Sequence, residues 1–164
     1  QDTYGWDMQM HGDNDLSTLT AAQMRTEWTR GKKWFADHGL GRAEHIAYPY
    51  GQSDAETVAT AREFFASGRT IARATPLESW PPAMPHRLRA VSGVSSAAGG
   101  TNVAAVKALI DKAVAGGQWL ILTFHIIGAS APDTMWCTTA DLDEIAAYAA
   151  ASGADVGTLA DFIR

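Results

Sequence analysis

Two isolated histidines and one tight turn are the residues of this sequence best suited to chemistry. His11 and His125 each close a strand-like run, and Ala47-Tyr48-Pro49-Tyr50-Gly51 sets a Pro-aromatic-Gly turn at the end of another, residues 44–48. Imidazole suits proton transfer because its pKa lies near neutral pH, and it is a common metal ligand. Asp13 and Asp15 follow His11 closely. Carboxylate oxygen binds zinc at distances similar to imidazole nitrogen, so His11 with Asp13 or Asp15 is a candidate divalent-metal site. Asp13, Asn14 and Asp15 also read as turn formers and helix caps. Trp80 and Trp136 fall in predicted loops, where an indole can stack on a sugar ring or plug a hydrophobic gap. Of the other histidines, His38 ends a helix, where imidazolium meets the dipole favourably, His45 begins a strand, and His86 sits in a Pro-rich loop.

The elements that must position these groups alternate between strand-like and helix-like patterns. Residues 6–10 read as a short strand ending at His11. A helix follows over residues 20–38, with a Thr20/Gln23 capping box, Met24, Trp28, Gly31 and Phe35 on one face, and Gly39 as its stop. Residues 44–48 read as strand, 55–66 as a helix capped by Ser53 or Asp54, and 69–74 as strand. Residues 75–86 hold four of the six prolines and read as an irregular loop. A short strand over 87–91 precedes a Gly/Ser/Ala loop over 92–100. Residues 102–115 form an amphipathic pattern with Val103, Val106, Ile110 and Val114 inward. Residues 119–125 lack polar alternation, as expected for a strand buried on both faces of a parallel sheet. A helix over 140–151, a small strand at 155–157 and a turn over 159–163 complete the chain. Repeated βα units joined by short loops predict parallel strands with right-handed crossovers, in an open sheet or a barrel. In such barrels the chemistry sits where strands end, which is where His11, Tyr50 and His125 fall.

Composition narrows the classes. The 164 residues suit one domain with a real core. With 46% hydrophobic and 19% charged residues, the chain is neither disordered in character nor a membrane protein. Its apolar runs, residues 119–122 among them, are far too short for a membrane span. The net charge of −5, with no Lys/Arg cluster, argues against a nucleic-acid partner. Cys137 is the only cysteine, which excludes an internal disulfide and a Cys-rich zinc site. No signal peptide is visible, and the start at Gln1 reads as a processed product or a fragment.

The order and spacing of His11, the Tyr-Pro-Tyr-Gly turn and His125 resemble the polysaccharide deacetylase family. These metal-dependent carbohydrate esterases remove acetyl groups from amino sugars such as N-acetylglucosamine. The resemblance runs from about Gly5 to Arg164. It implies an α/β fold, a distorted (β/α) barrel of fewer than eight strands, as one N-terminally incomplete domain over residues 1–164. In the family the first of these segments reads His-Ser/Thr-x-x-His before an Asp-Leu pair, and both histidines bind the metal. Here His11 matches the first histidine, the second has no counterpart, and position 15 is Asp. The resemblance thus implies a divalent metal, zinc by preference, on His11 with Asp15 or Asp13. It further implies that the Tyr50 backbone N–H stabilises the oxyanion and that His125 is the general acid protonating the leaving amine. Tyr48, Pro49, Trp80 and Trp136 are the implied lining of a sugar groove. Two positions depart from the pattern. Ala47 stands where many members carry an arginine that orients the catalytic aspartate, and Thr123 stands where a leucine often holds the acetyl methyl.

The family's first motif, Thr-Phe-Asp-Asp-Gly, which supplies the base and one metal ligand, is not in this sequence, and the first barrel strand is expected to be missing with it. The first strand lies on a separate or cleaved segment, or the chain is truncated, or the domain is degenerate. The reading that follows is a metal-dependent hydrolase removing acetyl groups from an N-acetylated polysaccharide. The alternative is a catalytically inactive carbohydrate-binding module on the same fold, and a third reading is an unrelated α/β binding domain. Expected partners are an acetylated polysaccharide and a second segment or chain completing the barrel. The substrate class implies an extracellular, cell-surface or periplasmic location.

Overall fold

The computed structural model describes residues 5–12, 14–72 and 74–163. The described residues form a mixed α/β protein with five α-helices, short strands and no closed barrel. In chain order the elements are α1 (Ala21–Asp37), β1 (His45–Ala47), α2 (Ala55–Ala61), β2 (Ser67–Arg69), β3 (Leu77–Glu78), α3 (Val103–Gly116), β4 (Trp119–Leu120), β5 (Ile126–Gly128), β6 (Trp136–Thr138), α4 (Thr139–Ala151) and α5 (Leu159–Phe162). They fall into two compact units. The first comprises Gln1–Thr70, Met84–Leu88 and Gly157–Arg164, and the second Ile71–Ala83 and Arg89–Val156.

In the first unit α1 begins where its cap demands. Thr20 accepts from the Gln23 backbone N–H, and the Gln23 side chain accepts from the Thr20 N–H, so two otherwise orphaned donors are satisfied. Met24 and Trp28 are buried, Phe35 packs against the same core, and Gly39 takes the left-handed φ of +66° that ends the helix. Trp28 meets Phe64 and Phe65 edge-on at centroid distances of 5.7 and 5.3 Å, pairs worth about 0.5–1.5 kcal/mol each beyond area burial. That cluster explains why α2 stops at Ala61 rather than running to residue 66. The chain turns there, seats Phe65 in the core, and enters β2 after the Ala66 N–H bonds to the Glu44 carbonyl. Asp54, not Ser53, caps α2 by accepting from the Thr57 N–H at 2.7 Å.

β1 and β2 pair in parallel, His45 with Ser67, Ile46 with Gly68 and Ala47 with Arg69. Met10 joins β1 on its other side, and Leu88 joins β2, both in parallel. Of the expected 6–10 strand, only Met10 is in a ladder, held by bonds between Met10 N–H and His45 O and between Ala47 N–H and Met10 O. The expected strand at 155–157 is not formed. The terminal turn is the short helix α5, whose Thr158 and Asp161 make their own capping box.

In the second unit Ala72, Val91 and Leu122 follow one another in parallel bridges. Its core gathers Val91, Val94, Val106, Ile110, Cys137 and Ile145. Asn102 caps α3 through the Ala105 N–H, and Gly117 ends it at φ +57°. Val106 and Ile110 face the core as predicted, whereas Val114 is exposed and lines a groove between α3 and α4. The predicted 119–125 strand is interrupted. β4 spans only Trp119–Leu120 and pairs antiparallel with β3, so this pairing departs from the all-parallel expectation. β3 itself lies inside the segment predicted to be irregular. It is held by the buried Glu78 carboxylate, which accepts from the Arg89 backbone N–H and from Nε, both at 2.8 Å. A long-range ion pair of this kind leaves no periodic trace in a Pro-rich stretch. β5 and β6 form a further parallel pair.

Candidate functional site

In the first unit, the loop after Met10 and the turn after β1 come together around His11. The His11 side chain is exposed, and its Nδ1 lies 2.7 Å from the Ala47 carbonyl oxygen. A carbonyl only accepts, so Nδ1 carries the proton and donates, which leaves the Nε2 lone pair directed elsewhere. Metal-binding histidines are commonly oriented by such a bond from the other ring nitrogen, so His11 fits a ligand role. The turn that follows Ala47 is tight. Gly51 N–H bonds to Tyr48 O at 2.9 Å and Gln52 N–H to Pro49 O at 3.1 Å. Tyr50 lies at φ 58°, ψ 6°, a left-handed conformation that is uncommon for a residue with a side chain. Its ring is exposed, and its N–H has no intramolecular acceptor among the described residues. An unpaired N–H on a strained turn is a preorganised donor for developing negative charge.

Tyr48 and Pro49 are placed differently from the expected groove lining. Both are buried. The Tyr48 ring occupies the space that a side chain on Gly68 would need, and its hydroxyl donates to the His86 carbonyl at 3.0 Å. Burial pushes the phenol up to about 12, so it stays protonated and acts as a core donor. Both residues hold the turn from below, and the ring exposed at its tip is that of Tyr50.

Asp15 caps the 3-10 turn Leu16–Thr18. Its Oδ1 accepts from the Ser17 N–H at 3.0 Å and from the Ser17 hydroxyl at 2.7 Å. Asp13 lies outside the described residues. Among the described residues no three His, Cys, Asp or Glu side chains gather as a metal-binding group. The carboxylate that the fold does bring to the His11 loop is Glu27 of α1. Its Oε2 accepts from Asn14 Nδ2 at 2.8 Å, and its Oε1 lies 2.8 Å from where a Cβ on Gly12 would stand. That same Gly12 position is 3.6 Å from the Pro49 ring. Glu27 was not singled out in the sequence. The available signal was its place three residues after Met24, on the flank of the buried face of α1.

In the second unit His125 directly precedes β5 and is exposed, with Cε1 and Nδ1 of its ring 3.6 and 3.7 Å from the Cβ position of Gly93. No hydrogen-bond partner within the described residues takes either ring nitrogen. Trp80 is half exposed and meets Trp119 edge-on at 5.4 Å. Trp136 lies in β6 rather than a loop, half-buried, with its ring over Gly128. The open groove between α3 and α4, about 280 Å³, is lined by Asp111, Val114, Tyr148 and Ser152 among others and contains none of the residues singled out in the sequence.

The remaining histidines have structural partners. His38 bonds through Nδ1 to the Trp34 carbonyl and stacks on its ring at 4.2 Å. His86 Nε2 donates to the Phe65 carbonyl. His45 is buried, with Nδ1 at 2.9 Å from the Ser67 hydroxyl, and burial lowers its pKa.

In comparisons with known proteins, no family model matches the chain, and neither a curated protein nor a solved structure matches it significantly.

Proposed function

We propose that this chain is a polysaccharide deacetylase-type hydrolase domain acting on an N-acetylated glycan. The observation that carries the reading is the junction in the first unit. His11 is anchored by the Ala47 carbonyl, three residues before an exposed aromatic whose strained backbone N–H has no acceptor among the described residues. The parallel pairings within each unit, taken in chain order, support the finer reading of a distorted (β/α) barrel. The substrate class would place the protein at a cell surface, in a periplasm or outside the cell.

The residues divide the work as follows. His11 Nε2 offers a neutral nitrogen to a divalent ion, zinc by preference. Such an ion, when bound, supplies polarisation of the acetyl carbonyl and a hydroxide-like water at neutral pH. As water adds to the carbonyl carbon, the Tyr50 N–H meets the negative charge that grows on oxygen. Breaking of the C–N bond would release acetate and an amine, the amine gaining a proton equivalent to the one that water gives up, and the resemblance gives that acid role to His125. The exposed Tyr50 ring stacks on the sugar.

A second reading, a glycan-binding module without catalysis, is favoured by two observations. One Asp15 oxygen, Oδ1, is taken up by capping, and Trp80 offers a half-exposed indole for stacking. One experiment separates the two: metal content, acetate release from N-acetylglucosamine oligomers, and oligomer binding, each measured on the chain and on His125→Ala. Acetate release that drops by about 10²- to 10⁴-fold in His125→Ala, with metal content unchanged, supports the hydrolase. Binding without release supports the module, and neither binding nor release overturns both.

A further inference from the structure

We infer that His45 is a proton-operated latch, whose protonation releases the Met10 segment from β1 and carries the His11 imidazole away from the Tyr50 turn. None of the contacts involved depends on the hydrolase reading. His45 is 1% exposed. Its Nδ1 lies 2.9 Å from the Ser67 hydroxyl, and its Nε2 is buried without a hydrogen-bond partner. A neutral ring tolerates this arrangement, because one of its two nitrogens carries no proton. An imidazolium carries a proton on both, so the buried Nε2–H would stand unpaired beside a desolvated charge. Relief comes when the ring reaches water.

The backbone of the same residue clamps the segment that bears His11. The His45 carbonyl accepts from the Met10 N–H at 3.0 Å, and the Ala47 N–H donates to the Met10 carbonyl at 2.9 Å. The His45 N–H donates to Gln9 Oε1 at 2.8 Å, and Gln9 Nε2 donates in turn to Asp7. On its other side β1 is held by the full ladder to β2, extended by bonds from the Ala66 N–H to Glu44 O and from the Tyr48 N–H to Arg69 O. One bridge and one side-chain bond hold the Met10 side, so that seam opens first. His11 follows Met10 directly in the chain, and opening the seam draws its Nδ1 from the Ala47 carbonyl.

The charges facing the ring set the direction. Burial is the largest influence and lowers the His45 pKa from 6.5; Lys32 of α1 acts the same way, whereas Asp7 and Glu44 oppose it. Ser67 of β2 is uncharged, and the next residue on its face of that strand is the cationic Arg69. The closed form therefore refuses a proton that the open form accepts near the ordinary value of 6.5. The latch is shut at neutral pH and loosens as pH falls below that value.

The test is residue-resolved amide hydrogen exchange by NMR on the full chain at about pH 7.5, 6.5 and 5.5, each rate divided by the intrinsic rate at that pH. The Met10 and Ala47 amides report the latch seam, and the Tyr48 and Ala66 amides report the β2 seam. We expect Met10 and Ala47 to lose up to about tenfold in protection from pH 7.5 to pH 5.5, beyond any change at Tyr48 and Ala66, and the excess to vanish in His45→Gln. Equal losses at all four amides, or no loss, overturn the latch. An excess that persists in His45→Gln also overturns it and passes the role to Asp7 or Glu44. Circular dichroism checks that His45→Gln folds. If that variant does not fold, the wild-type imidazole resonances decide. A His45 ring that stays neutral while Met10 and Ala47 lose protection upholds the latch, and one that titrates at or above 6.5 in the folded chain overturns it. Acetate release plays no part in the readout, so failure of the latch leaves the hydrolase reading standing.

Discussion

The backbone of Tyr50 offers a sharp test of how the turn after β1 is built. At φ 58° its Cβ is crowded by the neighbouring backbone, a strain of roughly 1–2 kcal/mol for a residue with a side chain. Glycine escapes that strain, but its freer unfolded chain costs about 0.4–1 kcal/mol relative to alanine. The informative comparison is therefore Tyr50→Gly against Tyr50→Ala. Both variants lose the same ring, which is 70% exposed and contributes little packing. Only the backbone term differs between them. Glycine should come out ahead by about 0.5–1 kcal/mol, whereas at an ordinary position it would fall behind. For a chain of 164 residues this corresponds to a melting temperature roughly 1–4 °C higher for the glycine variant. Thermal unfolding followed by far-ultraviolet circular dichroism, checked by urea titration, reads the difference. A Tyr50→Ala protein melting at or above Tyr50→Gly would show that the turn is unstrained, and the argument for a preorganised Tyr50 N–H would lose its basis.

Three further outcomes follow from the packing. Gly68→Ala should destabilise the chain by about 1–3 kcal/mol, because its methyl group enters the space of the Tyr48 ring; a smaller penalty in a Tyr48→Phe background, read by a double-mutant cycle in urea, checks the cause. Glu78→Gln should cost about 1–3 kcal/mol in urea unfolding, since the buried carboxylate takes charge-assisted bonds from Arg89 as well as its backbone N–H; an unchanged midpoint would remove the pair from the account of β3. Burial holds the His45 imidazole below its ordinary value of 6.5, so its contribution to stability is complete above that pH and declines as pH falls through it, where the unfolded chain takes up a proton that the folded chain does not. Urea midpoints at about pH 7.5 and about pH 5.5 should therefore differ less in His45→Gln than in the wild type, and an equal difference would place the acid sensitivity elsewhere.

The helices were legible because their signals are local. Thr20 with Gln23, Asp54 before α2, Asn102 before α3, and the left-handed Gly39 and Gly117 sit within a few residues of the groups they satisfy. The 3.6-residue period likewise exposed Met24 and Trp28 as the buried face of α1. The Pro-aromatic-Gly string announced a turn after β1, though not that Tyr50 as well as Gly51 would take positive φ. That choice belongs to the turn as a whole, since residue preference alone assigns such angles to glycine.

What only the tertiary structure decided are contacts between residues far apart in the chain. Tyr48 is a core residue because Gly68, twenty positions later, leaves room for its ring. β3 forms in a Pro-rich segment because Arg89 reaches back to Glu78. Asp15 caps the turn that follows it because Leu16 is drawn into the core and the chain tightens there. Glu27 reaches Gly12 only because α1 packs its Met24 and Trp28 face inward and so carries its flank to the His11 loop. The sequence by itself determined where the capped helices start and where glycine ends α1 and α3, since a few neighbouring residues settle those questions. Which carboxylate reaches the loop after His11 depended on how the α1 face packs, and that is decided by the whole core at once.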